Sequence, residues 1–105
     1  MLYMVRFDVQ QPVDMTQAQL FEIWNEEAKA AQGAREAGAI LGLWKVAGQR
    51  TVFAVCDFPD NRTVDQALSG LPIIQKMGGS VTTQAFPIYD YSEYADDLRQ
   101  AVEGG

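Results

Sequence analysis

From Gln17 to Glu36, apolar residues recur at helical spacing, and whatever this chain folds into must bury one side of that helix. At about 100° per residue, Leu20, Ile23, Trp24, Ala31 and Ala34 gather on one side; Glu22, Asn25, Glu26, Lys29 and Glu36 gather on the other. Thr16 with Gln19 fits a capping box at its start, and Gly38 supplies a stop. One carboxylate breaks the pattern. Glu27 follows Leu20 by two turns and falls inside the apolar arc, whereas Glu26 points to water. An ionised carboxylate against apolar surface is costly, which raises its pKa toward general acid–base duty. The other arrangement such a position allows is a subunit seam, with Glu27 paired to a Lys or Arg.

Around this helix the periodicities alternate. Leu2–Val9 sets Tyr3, Val5, Phe7 and Val9 against Leu2, Met4, Arg6 and Asp8, a strand with two unlike faces, the first of which should pack on helices. Ile40–Ala47 and Thr51–Asp57 are two apolar runs separated by Gly48-Gln49-Arg50, a hairpin signal. Thr63–Leu71 carries Val64, Ala67, Leu68 and Leu71 at helical spacing, and Pro72 marks its end. Met77-Gly78-Gly79-Ser80 reads as a turn and Val81–Ile88 as the last strand. Strand, helix, strand, strand, helix, strand, with two crossovers on one sheet, is the order of a ferredoxin-like α+β sandwich with an antiparallel sheet, spanning residues 1–88. Its two helices cover one sheet face only. Leaving the other bare would expose a large apolar patch, so a dimer at least is expected, of the α+β-barrel type. Residues 89–105 form an extension in which Tyr89, Tyr91, Tyr94 and Leu98 are too apolar for a free tail. Tyr94–Val102 fits a short helix, docked on a neighbouring subunit or on its own sheet edge.

Composition narrows the function. A chain of 105 residues with 48% hydrophobic and 21% charged residues is an ordinary one-domain globular protein. Fourteen acids against eight scattered bases give a net charge of −6, which disfavours nucleic acid and anionic membranes as partners. The N-terminus is interrupted by Arg6 and Asp8, unlike a signal peptide, and no stretch has the length of a spanning helix, so the cytoplasm is the expected location. With no histidine, imidazole-built metal sites, Ser-His-Asp triads and Cys-His pairs are excluded. The single cysteine, Cys56, reads as a small core residue. No phosphate loop or dinucleotide fingerprint occurs. What remains is a pocket between the first helix and the sheet, with Glu27 as candidate acid–base group. Lys45, Arg50, Trp44 and Tyr3 are the candidate substrate contacts, the cations suiting an anionic substrate.

Met1-Leu2-Tyr3, Pro12-Val13-Asp14-Met15, Glu27, Gly38, Leu43-Trp44-Lys45-Val46-Ala47-Gly48, Asp57-x-Pro59 and Leu71-Pro72 together resemble the muconolactone Δ-isomerase family, in matching spacing from Met1 to about Met77. The resemblance implies a ferredoxin-like fold, an oligomer as large as a decamer, and no metal or organic cofactor. It also implies a proton shift that moves a lactone's ring double bond in catechol breakdown through the β-ketoadipate route, with Glu27 at the position of the family's acidic residue. Two stretches depart from it. Gln49-Arg50 stand where the family often has His and an aromatic, and the chain after Met77 follows its own course. The leading expectation is thus a cofactor-free isomerase of a small anionic unsaturated lactone. The alternatives are a non-catalytic binding module on the same scaffold, or a cofactor-independent monooxygenase.

Overall fold

A computed structural model describes residues 1–104. The chain runs β1 (Leu2–Val9), α1 (Gln17–Glu36), β2 (Ile40–Lys45), β3 (Thr51–Asp57), α2 (Asn61–Ser69), α3 (Pro72–Met77), a 3₁₀ turn at Gly78–Ser80, β4 (Val81–Ile88) and α4 (Tyr91–Glu103). The strands form one antiparallel sheet in the order β2-β3-β1-β4. That is the ferredoxin-like α+β arrangement expected from the alternating periodicities.

The start and stop signals of α1 both operate. The Thr16 hydroxyl accepts from the Gln19 N–H at 3.2 Å, and the Gln19 side chain accepts from the Thr16 N–H at 2.9 Å. At the other end Gly38 takes a positive φ of 88°. The Gly38 N–H reaches Arg35 O and the Ala39 N–H reaches Ala34 O, the pair of bonds that closes a helix at a glycine. The helix buries the arc it should. Leu20 is wholly buried, Ile23, Trp24, Glu27, Ala31 and Ala34 are half-buried, and the remaining positions are exposed.

Alternation in β1 also holds. Tyr3 and Val5 are buried beneath the helices beside Cys56 and Ala54 of β3, Val9 is buried beside Val81 of β4, and Met4 and Arg6 face the other way. Two cores result: Tyr3, Val5, Ala54, Cys56 and Val64 at one end, and Val9, Leu20, Ile73, Met77 and Val81 at the other.

Element boundaries differ in places from the sequence reading. β2 stops at Lys45, because Val46–Arg50 make the turn, with Gly48 at a φ of 75°. α2 starts two residues early, because Asp60 rather than a later residue caps it, accepting from the Thr63 N–H at 2.8 Å. Pro72 does not merely end a helix. It opens α3 from the first helical position, where the missing N–H costs nothing.

α4 begins earlier than expected, at Tyr91, and every one of its residues is exposed. It packs substantially on no other element of its chain among the described residues. The molecule measures 61 × 27 × 21 Å in consequence. No helix among the described residues is long and apolar enough to cross a membrane.

Candidate active site

α1 packs on α3 and on the edge strand β2, leaving a cleft of about 1360 Å³ between the helices and the β2–β3 half of the sheet. The sequence explains the space. The inward stripe of α1 begins with Leu20, Ile23 and Trp24, which pack in the core, and ends with Ala31 and Ala34, small side chains that leave room and line the cleft. Glu27 sits at the change from large to small side chains and lines the cleft.

The Glu27 carboxylate is half-buried and enters no salt bridge among the described residues. Its recorded partner is the backbone N–H of Ile73, which donates to Oε2 at 3.1 Å. Burial pushes its pKa up from the ordinary carboxylate range, and the Ile73 hydrogen bond offsets part of that rise. The alternative of a Glu27 ion pair in a sealed seam is not the arrangement within the chain: the carboxylate is unpaired and faces open space.

The two cations among the expected substrate contacts border the same cleft. Lys45 leaves β2 on the helix-facing side, beside Val52, and its ammonium donates to the carbonyls of Val46 and Gln49. Arg50 donates to the Gln11 side chain at 3.2 Å. Neither cation has a carboxylate partner among the described residues, whereas Arg6, Lys76 and Arg99 pair with Asp8, Glu26 and Asp96.

Trp44 is placed differently. It borders the cleft at the sheet edge, but alternation aims its side chain at the open sheet face, across from Phe53. Its ring fills the space over Gly42, where any Cβ would collide with it. Tyr3 lies outside the cleft. Its side chain is buried in the core and its hydroxyl donates to Asn61 Oδ1 at 2.7 Å. The contact missed from sequence is Ile73, forty-six residues from Glu27, which acts through its backbone and carries no side-chain signal.

A ferredoxin-like domain with an apolar cleft, one desolvated carboxylate and two cations free of acid partners has the makings of a small-molecule acid–base enzyme. Comparison with known proteins sharpens the class. The muconolactone delta-isomerase family profile matches residues 1–90. The muconolactone delta-isomerase of Cupriavidus pinatubonensis is 35% identical over 85 residues, covering 81% of this chain and 92% of that one. That of Pseudomonas aeruginosa is 31% identical over 77 residues, covering 73% and 80%. A crystal structure of muconolactone isomerase superposes with a TM-score of 0.72 at 26% identity, over 86% of this chain and 90% of that one. The chain belongs to the muconolactone delta-isomerase family. α4 lies wholly beyond the matched residues.

Proposed function

We propose that this protein isomerises a small anionic unsaturated lactone of the muconolactone type in aromatic-compound breakdown, with Glu27 as its acid–base group. The observation that carries the reading is a desolvated carboxylate without a cationic partner, opening on an apolar cleft that two cations border. In the first step, ionised Glu27 removes the proton from the saturated ring carbon beside the ring oxygen. The electron pair spreads through the ring double bond to the lactone carbonyl oxygen, forming a dienolate. Glu27, now a carboxylic acid, returns the proton to the carbon α to that carbonyl. The double bond has moved by one position and the carboxylate is regenerated. A base whose pKa is raised toward neutrality can both take and return a proton without either step becoming steeply uphill. Lys45 and Arg50 supply the positive charge: one holds the substrate carboxylate, and the pair stabilises negative charge developing on the lactone oxygen.

The same reading extends to assembly and location. The open sheet face carries Met4, Trp44 and Phe86, and α4 carries Tyr91, Tyr94, Leu98 and Val102, all exposed. A second copy covering these surfaces accounts for both, and work in the cytoplasm is part of the same reading.

The test is a spectrophotometric assay with muconolactone, following enol-lactone formation by native protein and by Glu27→Gln. Native turnover with a loss of at least about 10²-fold in the folded variant is expected. A variant that keeps most of its activity removes Glu27 from the mechanism, and an inactive native protein overturns the substrate class.

A further inference from the structure

We propose that Ile73 is a positioning residue for the proton transfer: its backbone N–H holds Glu27 Oε2, leaving Oε1 as the oxygen that takes up and returns the proton. The inference rests on Glu27 being the base and goes one step further, assigning different work to its two oxygens. Three observations carry it.

The first is the contact itself, 3.1 Å from Ile73 N to Glu27 Oε2. As the second residue of α3, Ile73 has no acceptor for its N–H within that helix, so the carboxylate is its partner.

The second is rigidity. Ile73 is 3% exposed and packs among Leu20, Val9, Met77 and Val81, while Pro72 fixes the backbone just before it. A donor placed this way does not wander. α1 and α3 are also joined on their outer side by the Lys76–Glu26 ion pair, so neighbouring carboxylates of α1 are both tied to α3.

The third is the demand of the chemistry. A proton leaving one ring carbon and returning two positions along needs one oxygen that reaches both. A freely spinning carboxylate would expose its two oxygens at random, and one pinned at Oε2 presents Oε1 in a constant place. The same bond favours the ionised carboxylate and so opposes the desolvation around it.

The experiment replaces the Pro72–Ile73 amide by an ester, which deletes the N–H and keeps the Ile73 side chain, with Ile73→Ala as the packing control. For the ester, the acid limb of the kcat against pH profile should move upward by about one pH unit, as expected for losing one hydrogen bond to a charged acceptor. KM should change little. Ile73→Ala keeps the N–H and should leave the limb in place. An unmoved limb in the ester, or an equal movement in both variants, overturns the proposal. A second measurement needs no variant backbone. In native protein labelled with ¹⁵N, the Ile73 amide proton should shift downfield as Glu27 ionises, and Glu27→Gln should abolish that titration. A flat Ile73 amide overturns the proposal even if the ester does not fold. Activity retained by Glu27→Gln would instead overturn the parent reading, so the two failures are told apart.

Discussion

Glu27 sets function against stability. Its native pKa is raised by burial, so the folded protein keeps this proton to a higher pH than the unfolded chain does. The stability it contributes is therefore complete below the unfolded-state pKa and is lost as pH rises through the native value. A glutamine at this position has no charge to desolvate. Glu27→Gln should therefore melt at a higher temperature than the native protein at pH 7, with the advantage shrinking toward pH 4, while turnover is lost. Thermal melts at the two pH values check it, and an equal difference at both would mean that burial of the charge is not what Glu27 costs. This residue was legible in the sequence, because two helical turns from Leu20 is a matter of angle alone. Its anchor was not: the Ile73 N–H belongs to a segment far along the chain and is a group that every residue but proline carries.

Local signals served the elements unevenly. α1 was legible at both ends because the capping box and the terminal glycine are short-range chemistry. Thr16→Ala should cost about 1 kcal/mol in urea denaturation and Thr16→Ser almost nothing. A loss shared equally by the serine variant would show that the methyl group, not the hydroxyl, matters there. α3 was illegible for two reasons. Six residues are too few to display a helical period, and a proline that ends one helix looks the same as a proline that begins the next. What makes Pro72–Met77 a helix is tertiary: Ile73 and Met77, one turn apart, both find the core beside Leu20. The missed element proved to be the one that holds the carboxylate.

At the scale of the molecule, a compact chain of this length would have a radius of gyration of about 13 Å, and the 17.0 Å observed reflects α4 standing apart. Its stripe of Tyr91, Tyr94, Leu98 and Val102 is too apolar to be content in water. Ending the chain after Asp90, at the limit of the family match, should lower the oligomeric state measured by analytical ultracentrifugation while leaving the βαββαβ unit folded. Unchanged sedimentation per subunit would remove α4 from the assembly interface. In the proposed assembly, the sheet face bearing Met4 and Phe86 would then be the contact that remains.

By itself the sequence determined the βαββαβ order of the main elements without α3, the buried side of α1 and β1, and the presence of one carboxylate on an apolar surface. Each follows from a period or a cap that acts over a few residues. Tertiary structure alone decided the rest. It sorted Lys45 and Arg50 onto the cleft, turned the Trp44 side chain to the opposite sheet face, and kept Tyr3 out of the cleft. It also brought Ile73 to Glu27. These outcomes depend on register, on the bulge between Ile40 and Gly42, and on the packing of α1 against α3. Such quantities are settled by contacts between distant segments, and no local run of residues encodes them.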